Sequence, residues 1–282
     1  MQAAGAEAVA AVDPALETVV VAGICVALVA SVAAATWIAG RLRRGLPVIE
    51  RRPRPPATWR GGDVAVIALA YVGLLAGAAT VLGEKPPLRL QLVADMVTKS
   101  AATLVGLGVL HRAGASWAAS GFAGGRWWDD LRIAGVGLAL VLAPLLALAA
   151  VLDRIVSYRH SIVTFLQGHR DPVDVALVAL AAVVVAPIAE EFFFRRALQG
   201  WLEVRLPEAD GAAAIGLSAA AFAAAHVGQG LAPAPLFLLG IVLGLIAHRT
   251  GSLVPCSLLH AAFNAVGVGL LLAAPPVPPG GC

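Results

Sequence analysis

Apolar runs long enough to cross a bilayer are what most constrain this chain. A spanning helix needs roughly 20 mostly apolar residues to cover about 30 Å of hydrocarbon. Such runs occur at Leu16–Gly40, Asp63–Gly83, Leu92–Leu110, Leu131–Leu152, Val173–Ala189, Ala212–Ala225, Pro235–Ala247 and Leu253–Leu272. They predict an all-α, polytopic transmembrane helix bundle of about eight helices, within a range of seven to eight. The least secure runs are Leu92–Leu110, which carries charges, and Pro235–Ala247, which is short. Composition agrees: 60% of the 282 residues are hydrophobic, only 13% are charged, and mean hydropathy is +0.86. Soluble domains sit near 45–50% and about 25%. A polar nucleic-acid-binding domain is therefore excluded. Cys25, Cys256 and Cys282 are too few and too scattered for a disulfide framework or a metal knuckle.

Charge placement predicts how the bundle sits. The start of the first segment carries Glu7, Asp13 and Glu17 but no Lys or Arg, and Arg41, Arg43 and Arg44 follow its apolar run, the pattern of an anchor rather than a cleaved signal. With eight spans and the N-terminus outside, the inner loops hold 14 arginines and the outer loops 5 Lys or Arg. That is the bias of the positive-inside rule. Half of the inner arginines, and most of the excess, lie in residues 41–62, where Pro47, Pro53, Pro55 and Pro56 forbid a helix throughout. A cytoplasmic linker beside anionic headgroups is expected there. The Ala-, Gly-, Val- and Arg-rich, Lys-poor usage suggests a high-GC bacterial genome, and the expected location is as an integral multi-pass protein of a bacterial inner membrane.

Ionisable residues inside spans need a partner or a task. Asp95 and Lys99 lie four apart and read as a pair that neutralises itself. The others cluster in the last third. Glu191 and Arg195 are i and i+4, so the guanidinium can hold that carboxylate ionised. Glu190 is turned about 100° away and is free to face something else. The three phenylalanines that follow form an apolar wall, a setting in which an unpaired carboxylate works as a base. Pro187 loosens the helix just before the pair by removing one N–H. Phe222 and His226 are again i and i+4, on a small-residue helix built for close packing. His260 and Asn264 point the same way from the last span. Each group alone also reads as helix glue. Convergence on one internal, water-accessible pocket explains all three together, and hydrolysis is the chemistry that suits them.

In this order and spacing, Glu190-Glu191-x-x-x-Arg195, Phe222-x-x-x-His226 and His260-x-x-x-Asn264 resemble the motifs of the CAAX prenyl protease 2 family. This family is also called CPBP or Abi. The resemblance extends to Gly240-Ile-Val-Leu-Gly244 and Arg249-Thr-Gly-Ser-Leu253 and covers roughly residues 173–270. It divides the chain into N-terminal helices with the basic loop (1–172), catalytic helices (173–272) and a Pro/Gly-rich tail expected to be disordered (273–282).

The resemblance implies a membrane-embedded endopeptidase. Glu190 would be the general base for water, with His226 holding that water. His260 and Asn264 would stabilise the oxyanion, and Glu191 with Arg195 would be the supporting pair. It implies a membrane-associated peptide or protein as substrate and the lipid bilayer as surroundings, with no nucleic-acid partner and no statement of oligomeric state. No cofactor is the preferred expectation. Zinc is the alternative, since a carboxylate and two histidines match a three-ligand site although HExxH is absent. The rival reading is a non-catalytic scaffold or bacteriocin-immunity protein. Gly216-Leu-Ser218 has the letters of a rhomboid-type serine turn but lies inside a small-residue helix. Arg60-Gly-Gly-Asp63 lacks the first glycine of the presenilin pattern.

Overall fold

The computed structural model describes residues 14–84, 86–122, 126–156, 161–168, 170–208 and 210–273. The tail assignment, apart from residue 273 at the end of the last helix, falls outside these residues, as do Glu7 and Asp13. Every regular element among the described residues is helical. In chain order they are α1 (Pro14–Arg43), α2 (Gly61–Leu82), α3 (Leu88–Arg112), α4 (Trp127–Ile155), α5 (Ser161–Gly168), α6 (Pro172–Arg205), α7 (Ala212–Ala224), α8 (Pro233–Thr250) and α9 (Val254–Ala273). Seven of these are long and apolar enough to cross a membrane. The chain is a polytopic helical bundle.

Two boundaries differ from the sequence expectation. The span expected to end at Ala189 continues to Arg205. The charges at 190–195 end the apolar run but not the helix, because Glu191 pairs with Arg195 and Glu190 faces Lys99 inside the protein. The span expected over Ala212–Ala225 is a 13-residue helix. At 1.5 Å per residue it covers about 20 Å, well short of the hydrocarbon thickness. The insecure 235–247 run, by contrast, lengthens to 18 residues in α8.

Helix ends follow from local chemistry. At the start of α2 the Arg60 N–H donates to Asp63 Oδ2 at 2.7 Å, which places a carboxylate in the first turn, where the helix dipole favours it. Asp171 caps α6 by accepting from the N–H groups of Val173 and Asp174, with Pro172 at the first helical position. α8 stops at Gly251, whose φ of +64° is the left-handed conformation that glycine adopts freely.

The connections sort to two ends of the bundle, as alternating crossings require. At one end the Arg52 N–H donates to the Arg249 carbonyl and the Leu253 N–H to the Gly121 carbonyl. At the opposite end Arg89 pairs with Asp171 and Asp174, and Arg170 Nη1 donates to the Leu272 carbonyl. The first is the basic end. There residues 44–60 form a packed strap rather than a loose linker. Trp59 is 2% exposed, and its Nε1–H donates to the Ala197 carbonyl at 2.8 Å. Gly200 admits that ring, since a Cβ there would lie 2.8 Å from it. Arg52 holds Asp130 at 2.5 Å, and Arg54 pairs with Glu203.

Burial ranks the helices. Half of the best spanning window of α8 is buried, against 6% in α1. α8 is therefore the centre of the bundle and α1 an apolar rod facing outward. α7 packs closely on α8 because Gly240 and Gly244 lack side chains where Ala219 and Ile215 press in.

Candidate active site

The two carboxylates sit on Ala186–Glu191, a short α segment of α6 between two wider π-turns, Leu180–Val185 and Phe192–Leu198. Such turns leave carbonyls for other partners and recur at functional sites. In the first, the Ala186 N–H reaches back five residues to the Ala181 carbonyl. In that register the next donor would be residue 187, which is proline, so the Ala182 carbonyl has no helical partner. Asn264 Nδ2 donates to it at 2.8 Å. In the second turn the Phe194 carbonyl accepts from the Gln199 N–H and, at 2.8 Å, from Ser218 Oγ.

Adjacent positions place the two glutamates in different surroundings. The Glu191 side chain is 0% exposed. Its Oε2 accepts from Arg195 Nε at 3.1 Å and its Oε1 from His260 Nδ1 at 2.9 Å. Arg195, equally buried, donates through Nη1 to Ser218 Oγ at 3.0 Å and lies over the Phe222 ring at 5.0 Å. Its Nη2 has no hydrogen-bond partner among the described residues. A buried ion pair needs this multiplicity of hydrogen bonds to offset desolvation.

Glu190 remains accessible, with 18% of its side chain exposed. One oxygen lies 3.9 Å from His260 Nε2 and the other 3.6 Å from Lys99 Nζ. Both separations exceed a direct hydrogen bond and are the range in which a water bridges. His260 therefore stands between the carboxylates, its Nδ1 held by Glu191 and its Nε2 turned to Glu190.

Of the six residues singled out from sequence, Glu190, Glu191, Arg195 and His260 form one connected group. Asn264 is tied to the same helix through Ala182. His226 joins them only through a ring: Phe222 lies 5.0 Å from the His226 ring and 5.7 Å from that of His260. Its Nδ1 is bonded to the Phe222 carbonyl at 2.8 Å, and no polar contact to Glu190 is formed among the described residues. Because that acceptor is a carbonyl, Nδ1 carries a proton and Nε2 is the ring nitrogen left for another partner.

Lys99, Asp95 and Ser218 were not assigned to the site from sequence. Lys99 does bond Asp95, at 2.9 Å, as the spacing indicated, but it also reaches Glu190. The signal was its charge inside a span. Ser218 had been set aside as a nucleophile. It is fully buried and serves Arg195 and the Phe194 carbonyl.

Fold and site together define a multi-pass membrane protein with acid–base groups buried inside its bundle. Residues 172–266 match the family model described as type II CAAX prenyl endopeptidase Rce1-like. This third of the chain, which holds all six residues, is similar to the CAAX-protease (CPBP) family of membrane endopeptidases. No curated protein and no solved structure matches the chain.

Proposed function

We propose that this chain hydrolyses a peptide bond of a membrane-associated protein or peptide, inside the bundle, with Glu190 as general base. The observation that carries the reading is the division of labour between adjacent carboxylates: Glu191 is sealed and fully bonded, while Glu190 is reachable and faces His260 and Lys99. Glu190 takes a proton from water, the hydroxide oxygen bonds to the scissile carbonyl carbon, and the proton passes to the departing amine nitrogen. The Lys99 ammonium faces the Glu190 carboxylate at 3.6 Å. The developing oxyanion is met by His260 Nε2–H and by the Nδ2–H of Asn264 not given to Ala182. For that donation Nε2 must carry a proton while Nδ1 donates to the Glu191 carboxylate. His226 Nε2 is the ring nitrogen available to hold the water. Exclusion of bulk water strengthens each contact.

The residues fit a resident zinc poorly. Among the described residues only Glu190 and His260 Nε2 face each other, where a catalytic zinc takes three protein ligands, and the Lys99 ammonium stands against Glu190. A metal-independent, glutamate-dependent reaction is the reading we prefer. The arginine bias supports a basic end in the cytoplasm and an N-terminus outside, and the membrane we propose is a bacterial inner membrane.

The scaffold alternative draws on the fully buried Glu191–Arg195–Ser218 network, which would serve packing alone. Paired variants separate the two. Glu190→Gln is expected to lose cleavage and keep its unfolding midpoint, whereas Glu191→Gln loses both. Cleavage surviving in Glu190→Gln, or a midpoint lowered as far as in Glu191→Gln, would favour the scaffold.

A further inference from the structure

At the basic end, the strap and α6 enclose a pocket of about 500 Å³ lined by Arg51, Arg52, Arg54, Arg196 and Glu203. Its charges do not cancel. Arg52 is met by Asp130 and Arg54 by Glu203. Glu203 is already shared with Gln199 and His248. Arg51 is exposed, and no carboxylate pairs with it among the described residues.

Arg196 is the unusual member. It is 4% exposed, its guanidinium lies 4.8 Å from the Trp59 ring, and its Nε has no hydrogen-bond partner. No carboxylate forms an ion pair with it among the described residues. A cation–π contact compensates only part of the desolvation of a buried charge. A buried guanidinium that lines an arginine-rich pocket without a counter-ion is what an anion site requires. Guanidinium forks suit a tetrahedral oxyanion that accepts several N–H groups. Pro53, Pro55 and Pro56 preset the strap's backbone, so little ordering is needed on binding.

We infer that this pocket binds a phosphate group between Arg196 and Arg51, and that in the membrane the phosphate is that of an anionic lipid headgroup. The site is separate from Glu190 and does not depend on the catalytic reading.

The test follows the unfolding midpoint of the full chain in neutral detergent during titration with dioctanoyl phosphatidylglycerol or inorganic phosphate. Phosphatidylglycerol is expected to raise the midpoint saturably. Arg51→Gln should raise the half-saturating concentration about tenfold, the loss of one charge-assisted hydrogen bond. Arg196→Met should abolish the shift, yet unfold no earlier than wild type without lipid because it removes an uncompensated charge. Arg43→Gln/Arg44→Gln, which removes exposed arginines outside the pocket, should leave the shift intact. A saturable response to inorganic phosphate that Arg196→Met removes also supports the site. If it exceeds the phosphatidylglycerol response at equal concentration, the source is free phosphate rather than lipid, and the lipid assignment is overturned. The site itself is overturned by no saturable shift with either probe, or by a shift that persists in Arg196→Met. It is equally overturned if Arg43→Gln/Arg44→Gln weakens the response as much as the pocket variants do. Should Arg196→Met fail to fold, an unchanged half-saturation in Arg51→Gln is decisive against the proposal.

Discussion

Replacing Arg195 by methionine tests the electrostatic logic of the site most sharply. Arg195 and Glu191 are both 0% exposed and 3.1 Å apart, so the substitution strands a carboxylate out of contact with water. Removing one partner of a buried pair costs about 3–5 kcal/mol. The lower end applies here, because His260 Nδ1 still donates to Glu191. For a chain of this size that is roughly a 5 °C fall in the unfolding midpoint. Adding Glu191→Gln removes the stranded charge while leaving an amide oxygen to accept from His260. The double variant should recover at least half of the loss, a coupling read from a double-mutant cycle. Thermal unfolding in detergent, followed by circular dichroism with all four proteins in parallel, gives the numbers. A single-variant loss under about 1 kcal/mol, or additive losses in the double variant, would show that this ion pair does not hold the site.

Three further outcomes follow. Lys99→Met should lower cleavage at least about tenfold, the lower edge of acid–base contributions, with partial return in Lys99→Arg; unchanged turnover would disconnect Lys99 from Glu190. Gly240→Ala puts a Cβ 3.1 Å from the Ala219 Cα and should destabilise by about 1–3 kcal/mol as overpacking, whereas Gly267→Ala, with open space around it, should be neutral or better in the same melt. Exhaustive treatment with a strong chelator should leave peptide cleavage intact; loss that zinc restores would overturn the metal-independent reading.

Local spacing carried much of the site in advance. Arg195 one turn from Glu191, and Asn264 one turn from His260, follow from the helical period alone. What the period cannot reveal is what lies beside a helix. Asp95 and Lys99 read as self-contained because their own spacing satisfied them, and only the approach of α3 to α6 brings Lys99 to Glu190. The π-turns depend on Asn264 and Ser218, residues distant in sequence whose bonds to Ala182 and Phe194 are tertiary. The prolines correctly excluded a helix from 44–60. The packing of that segment rests on Trp59 donating to the Ala197 carbonyl within the second π-turn. The end of α6 was misplaced because hydropathy counts Glu191 and Arg195 as exposed charges, and in the fold they cancel.

The central claim is that Glu190 activates water to break peptide bonds. It is tested most directly by comparing membranes from cells carrying wild type or Glu190→Gln after incubation in ¹⁸O-water. Hydrolysis places one ¹⁸O in each newly formed carboxyl terminus. The account predicts a set of labelled internal termini in wild type that is absent with Glu190→Gln, at equal protein level and equal unfolding midpoint. The same labelled termini in both membranes would contradict it.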